Sequence, residues 1–249
     1  MLRVGVFGAG GRMGSTVCAA VANDADLELA AAVDPDHVGE QVEGVTVVEH
    51  MPDVDVVVDF TNVAAARENL LWAAENGVHA VVGTTGLNSQ DHERFEAAFT
   101  KSNCVIAPNF AIGAVLMMRM AELAAPHFDT AEIIELHHDG KIDAPSGTAM
   151  STAERMAAAK PEWAPDPTRD EVVEGARGGE GPSGIHVHSI RMRGMVAHQE
   201  VILGTTGQTL TIRHDTTDRT SFMPGVLLAV KRVGGRPGVT IGLDTLLDL

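Results

Sequence analysis

Short runs of Val, Ile, Leu and Ala punctuate the first hundred residues, and stretches of helical spacing separate them. The apolar runs lie at Leu2–Phe7, Leu27–Val33, 54–60, His79–Val82 and 104–107. The helical stretches lie at 12–23, 64–76 and 90–100. Continuous apolar runs are the mark of strands buried on both faces, and their alternation with helices predicts a parallel sheet. This part reads as a nucleotide-binding α/β domain. After Pro108-Asn109 the pattern changes. A Met- and Leu-rich helix is expected over 112–127, a strand over 131–137, and a helix opening at Pro145-Ser146-Gly147-Thr148 and running to about Lys160. Three strands follow at 185–191, 200–203 and 209–214, the last two joined by a Gly204-Thr205-Thr206-Gly207 turn. A helix over 222–233 and a strand over 239–243 close the chain. Between them, residues 161–184 are rich in Pro, Gly and acids and lack a period; so long a loop is either a solvated connection or a flap over a site.

The expected fold is therefore α/β: a Rossmann-type dinucleotide-binding domain over 1–107 and 218–249, and a smaller α+β substrate and oligomerisation domain over 108–217. With 249 residues the chain needs no metal or disulfide merely to fold. A net charge of −16 argues against nucleic acid or an anionic membrane surface as a general partner. No apolar run approaches the length of a membrane span, and the N-terminal stretch is broken by glycines, so neither a span nor a signal peptide is expected. The two cysteines, Cys18 and Cys104, sit in apolar surroundings without C-x-x-C spacing, as free thiols of a cytoplasmic protein would. Tyrosine is absent, which excludes a tyrosine general acid. There is no P-loop and no G-x-S-x-G elbow.

The first strand runs into Gly8-Ala9-Gly10-Gly11-Arg12-Met13-Gly14. Side chains missing here let backbone approach a pyrophosphate, whose charge rests on amides at a helix N-terminus. The bland alternative is a plain tight turn. Asp34 ends the second strand, where an acid accepts bonds from ribose hydroxyls and repels a 2′-phosphate; as an ordinary residue it would close a turn. Pro35 follows it, so no Arg stands there for a 2′-phosphate, though Arg12 could compensate. Gly83-Thr84-Thr85-Gly86 and Ala107-Pro108-Asn109-Phe110 follow the fourth and fifth strands, at the carboxyl ends that form the ligand crevice of such sheets. Cofactor contact is expected at Gly8, Ala9, Gly10, Gly11, Arg12, Met13, Asp34, Gly83, Thr84, Thr85, Ala107, Pro108, Asn109 and Phe110.

The densest chemistry lies in Glu135-Leu136-His137-His138-Asp139-Gly140-Lys141-Ile142-Asp143-Ala144-Pro145-Ser146-Gly147-Thr148-Ala149. Two histidines and a lysine at a strand end, next to a helix start, make a site for a small anion. Histidine can pass a proton near neutral pH, and lysine can stabilise charge or donate a proton. Taken singly, His137 reads as a bonded core histidine and Ser146 and Thr148 as caps. Adjacent histidines point to opposite faces of a strand, and His186 with His188 lack a nearby acid or cysteine in sequence, so no metal is expected.

These stretches, in order, resemble the 4-hydroxy-tetrahydrodipicolinate reductase (dihydrodipicolinate reductase) family over nearly the whole chain. The resemblance implies reduction of a cyclic dicarboxylate with NADH or NADPH in lysine and diaminopimelate biosynthesis, and a homotetramer. It implies His137 as the acid/base residue and Lys141 as proton donor, with His138, Gly147 and Thr148 on substrate carboxylate. The His/Lys cluster together with the glycine turn points to a nicotinamide facing the second domain and to domain closure that excludes water, with hinges expected near 109–112 and 215–219. Many members carry Arg directly after the acid that ends strand two. Pro35 departs from that, so NADH is expected to serve at least as well as NADPH.

Overall fold

A computed structural model of the chain describes residues 1–248. In chain order it contains β1 (Leu2–Phe7), α1 (Arg12–Ala22), β2 (Leu27–Val33), β3 (Gln41–Val42), β4 (Val45–Val48), β5 (Val56–Asp59), α2 (Val63–Asn76), β6 (His79–Val82), α3 (Ser89–Ala98) and β7 (Cys104–Ile106). These are followed by α4 (Ile112–Ala124), β8 (Thr130–His137), α5 (Gly147–Ala159), β9 (Gly179–Glu180), β10 (His186–Arg191), β11 (Ala197–Thr205) and β12 (Gln208–Thr216). The chain ends through α6 (Met223–Arg232) and β13 (Val239–Ile241). It divides into two units: Met1–Ile112 with the chain from Arg219 on, and Gly113–Asp218. Leu249, the last residue of the expected 218–249 segment, lies outside the described residues.

The first unit holds an eight-stranded sheet in the order β13-β7-β6-β5-β1-β2-β4-β3. Every pairing is parallel except β3 with β4. β5 is buried along its whole length and β7 likewise, which is why both read as unbroken apolar runs. Leu70 and Phe95 cover one face of the sheet from α2 and α3. Pro108–Ile112 stays with this unit because Phe110 is buried against Phe60, ring centroids 5.6 Å apart, and its carbonyl lies against Gly225, where a Cβ would approach to 2.1 Å.

The second unit holds a mixed sheet in the order β12-β11-β8-β10-β9. β8 is parallel to β10 and antiparallel to β11. Ile133, Val187, Val201 and Leu203 face Ala149, Ala153 and Met156 of α5, and this layer is the unit's core. The opposite face carries Glu132, Ile134, Leu136 and Ile202, which are half-buried, and the exposed Ile190.

Residues 161–184 are not structureless. Gly179–Glu180 pairs with β10, and Pro182–Gly184 forms a 3-10 turn. Arg177 bonds Glu132 at 2.7 Å and Asp166 at 3.0 Å. Glu132 lies on the sheet face opposite Glu135 and His137, so the segment is tied down there rather than over the histidine cluster.

Candidate active site

Each unit carries one constellation capable of chemistry. In the first, β1 enters the glycine turn with Gly8 at φ +71°, a backbone conformation L side chains rarely adopt. The Gly11 amide donates to the Gly8 carbonyl at 3.0 Å and closes the turn. Gly14 lies so close to the turn after β1 that an added Cβ would stand 1.9 Å from the Gly8 oxygen. Gly11 caps α1 with no side-chain bond, and the first turn has no acid. A helix N-terminus left in this state attracts an anion.

Asp34 stands beside this turn, buried, with one carboxylate oxygen accepting from the Gly10 amide at 3.0 Å. The other accepts from the Asp36 amide at 3.1 Å and lies 3.0 Å from His37 Nδ1. Burial pushes the Asp34 pKa up, but His37 and the two amides outweigh it and hold the carboxyl below its usual range. The acid is therefore ionised at neutral pH, and an oxygen with one bond keeps a lone pair for a hydroxyl. A cleft of about 750 Å³ opens here, lined by Gly8, Gly11, Asp34, Phe60, Asn62 and Trp72 among others. The size, the bare helix start and the acid fit a dinucleotide.

The remaining expected cofactor residues fall into distinct environments. Gly11, Arg12, Thr85 and Pro108 are exposed; Gly8, Gly10, Met13, Gly83 and Asn109 are half-buried. Ala9, Thr84, Ala107 and Phe110 are buried. The Ala9 and Ala107 amides are already committed to the Val33 and Val82 carbonyls at 3.1 and 3.0 Å. None of these four is among the residues that line the cleft. Asp59, which the sequence reading passed over, ties Thr84 to Thr61 and Asn69, two residues that do line the cleft. One of its oxygens accepts from the Thr61 amide at 3.0 Å and from the Thr61 and Thr84 hydroxyls at 2.8 Å each; the other accepts from Asn69 at 2.7 Å. Its only sequence signal is an acid ending an apolar run.

In the second unit, β8 ends at His137 and the chain loops through Lys141 to α5. His137 Nδ1 bonds Glu135, whose side chain is fully buried. Arg191, from β10, grips Glu135 with two bonds of 2.8 Å and reaches the Asp143 carbonyl at 2.6 Å. Burial lowers the His137 pKa, Glu135 raises it, and Lys141 and Arg191 lower it; the net is a ring held below the ordinary histidine value. Lys141 Nζ bonds both oxygens of Asp143, at 2.8 and 2.7 Å. Ser146 caps α5 by accepting from the Ala149 amide at 3.2 Å. Gly147, the first helical residue, is exposed, and a Cβ there would meet nothing within 4 Å. Thr148 is half-buried, and His138 is exposed with its ring beside Gly140. The structure thus gathers His137, Lys141 and the α5 start on one scaffold. It also adds Arg191 and Asp143, neither singled out from sequence. His186 and His188 each face a carboxylate, Asp166 at 3.4 Å and Glu132 at 2.6 Å, supplied from distant sequence.

Residues 2–110 match the family model described as dihydrodipicolinate reductase, N-terminus, and residues 113–247 match the corresponding C-terminus. The chain belongs to the dihydrodipicolinate reductase family. It is 51% identical over 252 residues to the 4-hydroxy-tetrahydrodipicolinate reductase of Mycobacterium marinum (strain ATCC BAA-535 / M), covering all of both chains. It is 49% identical over 259 residues to the enzyme of that name in Cutibacterium acnes (strain DSM 16379 / KPA171202), again over both full lengths. Among solved structures, a dipicolinate-bound dihydrodipicolinate reductase from Paenisporosarcina sp. TG-14 superposes with a TM-score of 0.88 at 37% identity, covering 98% of this chain and 99% of that one. As a member of this reductase family the chain is an NAD(P)H-dependent oxidoreductase, and its N-terminal unit is of the Rossmann dinucleotide-binding type. No helix among the described residues is long and apolar enough to cross a membrane.

Proposed function

We propose that this chain reduces 4-hydroxy-tetrahydrodipicolinate to tetrahydrodipicolinate through the His137–Lys141–α5 constellation of its second unit. The activity itself, in lysine and diaminopimelate biosynthesis, is that of the family to which the chain belongs. The observation that carries the site assignment is the joining of a half-buried histidine ring, a lysine and a helix start at the exposed Gly147 on one short segment.

The substrate is a dianion, and the bound dipicolinate of the Paenisporosarcina relative is a planar dicarboxylate of related shape. Lys141, His138 and the amides of Gly147 and Thr148 take its carboxylates, helped by the helix dipole. Once the 4-hydroxyl has left as water, NADH or NADPH, when bound, would supply a hydride to C4 of the conjugated, dehydrated ring. As negative charge builds on the conjugated ring, His137, with Lys141, delivers the proton that quenches it. Lys141 must exchange Asp143 for a substrate carboxylate, a small cost for a partly exposed pair. In the first unit the glycine turn carries the pyrophosphate and Asp34 the adenosine ribose. The ionised Asp34 and the neighbouring Asp36, Glu49 and Glu68 of the cleft disfavour a 2′-phosphate, so NADH serves at least as well as NADPH.

The same reading makes the protein a cytoplasmic homotetramer. The buried free thiols Cys18 and Cys104 support the compartment. The half-apolar outer face of the second sheet, with Ile134, Leu136, Ile190 and Ile202, supports an assembly; light scattering in solution gives the copy number. The activity is tested by following NADH oxidation with enzymatically made 4-hydroxy-tetrahydrodipicolinate, repeated with NADPH. Consumption of both, NADH at least as well, is expected. Folded protein that binds NADH yet consumes neither cofactor contradicts the proposal.

A further inference from the structure

Glu135 is fully buried in the middle of a sheet, where a lone carboxylate would shed its charge. Here several donors meet it. One oxygen accepts from Arg191 at 2.8 Å and from the Ser146 amide at 3.2 Å. The other accepts from Arg191 at 2.8 Å and meets His137 Nδ1. Arg191 is in register with His137 on the parallel neighbour strand, which aims its fork at the carboxylate two residues back. Burial pushes the Glu135 pKa up, but Arg191, the Ser189 hydroxyl and His137 outweigh it, so the group is ionised. An ionised carboxylate only accepts. The proton between it and His137 therefore sits on Nδ1, and Nε2 is the nitrogen left for chemistry.

We infer that Glu135 and Arg191 are a positioning pair that fixes the His137 tautomer with Nε2 outward and sustains the imidazolium formed when Nε2 is protonated. The pair does more than hold a ring. Through the Ser146 amide Glu135 also sets the start of α5, and through the Asp143 carbonyl Arg191 sets the loop that carries Lys141. One buried ion pair thus places all three parts of the proposed substrate site relative to one another. The inference rests on the reading of His137 as proton donor.

The charged groups facing His137 are Glu135 from β8, Arg191 from β10, and Lys141 from the following loop; its β11 partner is Ala197, which carries no charge. Removing the carboxylate leaves burial and two cations, all opposing the imidazolium. A protonated donor is lost as pH rises through its pKa, so in Glu135→Gln the alkaline limb of kcat moves to lower pH. A contact of this kind shifts a pKa by about 1–3 units, and a shift of about one unit or more is expected, with kcat at neutral pH down about tenfold or more and KM for NADH unchanged.

The decisive measurement uses wild-type protein labelled with 15N-histidine, the His137 signals being assigned by their loss in His137→Gln. The neutral ring should carry its proton on Nδ1; the Nε2–H tautomer, or an equal mixture, would overturn the inference even if Glu135→Gln does not fold. If His137→Gln abolishes turnover while folded Glu135→Gln keeps the wild-type alkaline limb, the positioning role is wrong and the His137 reading stands. If His137→Gln turns over normally, the His137 reading itself has failed.

Discussion

Gly14 offers a test of how the nucleotide turn is built. A Cβ added there would stand 1.9 Å from the Gly8 carbonyl oxygen and 2.6 Å from its carbon, distances real Cβ atoms essentially never show. The obstacle is backbone in the turn that starts α1, so no rotamer change relieves it. Gly14→Ala has one favourable contribution, about 0.8–1.0 kcal/mol of helix propensity. Against it stands overpacking, typically about 1–3 kcal/mol and more when backbone must move. The clash is over 1 Å inside the 3.0 Å floor, so overpacking wins, and a net loss of about 1–2 kcal/mol is expected. For a chain of this size that lowers Tm by roughly 2–8 °C. The α1 start must move off Gly8, displacing the amides that face the cleft, and NADH affinity falls about tenfold or more, that is, by at least 1.4 kcal/mol. Gly147→Ala is the contrast. Nothing lies within 4 Å of its would-be Cβ and its φ is not positive. It should leave Tm unchanged or slightly raised and NADH binding intact, while KM for the dicarboxylate rises as the methyl crowds the helix start. Thermal unfolding and NADH fluorescence titration read both variants. Wild-type Tm and NADH affinity in Gly14→Ala would refute the reasoning.

Replacing the charge proposed to discriminate cofactors should change preference without changing the fold: in Asp34→Asn the NADPH-to-NADH ratio of kcat/KM rises about tenfold or more, since a unit charge a few ångströms from a phosphate is worth at least about 1.4 kcal/mol. An unchanged ratio would mean that Asp34 lies away from the 2′ position. In Asp143→Asn, Lys141 loses its competing partner, and KM for the dicarboxylate falls by up to about fivefold at constant kcat, the worth of a partly exposed pair; a rise in KM would instead make Asp143 the residue that aims Lys141. Acid stability carries its own signature. The Arg67 fork and the Asn88 amide hold Asp91 at about 2, below its ordinary value. A carboxyl depressed in this way stabilises the fold fully above about pH 4 and loses that contribution as pH falls through about 2. Asp91→Asn should therefore lower Tm at pH 7 and show a flatter decline between pH 5 and pH 2; parallel acid curves would contradict the assignment.

The central parallel strands β5, β6 and β7 were legible because they are buried on both faces and so are written as apolar runs. The glycine turn was legible because close approach leaves glycine few substitutes. The β3–β4 hairpin escaped notice: its strands are short and half-exposed, and Glu43, not glycine, takes a left-handed conformation at φ 50° beside Gly44. β11 starts three residues before the expected 200–203 run because a buried polar residue, Gln199, occupies a core-facing position and bonds Thr152 at 2.7 Å. Such a residue hides alternation. In the second unit the local segment named His137, Lys141 and the α5 start, but nothing local marks Arg191. Its partner lies 56 residues away, and only the parallel pairing of β8 with β10 brings them together. Long-range pairing of this kind leaves no period to read.

The proposed dicarboxylate pocket is built by the segment from His137 to Thr148. The most direct test is a crystal structure of the wild-type chain with dipicolinate and NADH. One ligand carboxylate should lie on the amides of Gly147 and Thr148, the other within reach of Lys141 or His138, and His137 Nε2 should point at the ring. Dipicolinate bound elsewhere, with Lys141 still paired to Asp143 and Nε2 turned away, would contradict it.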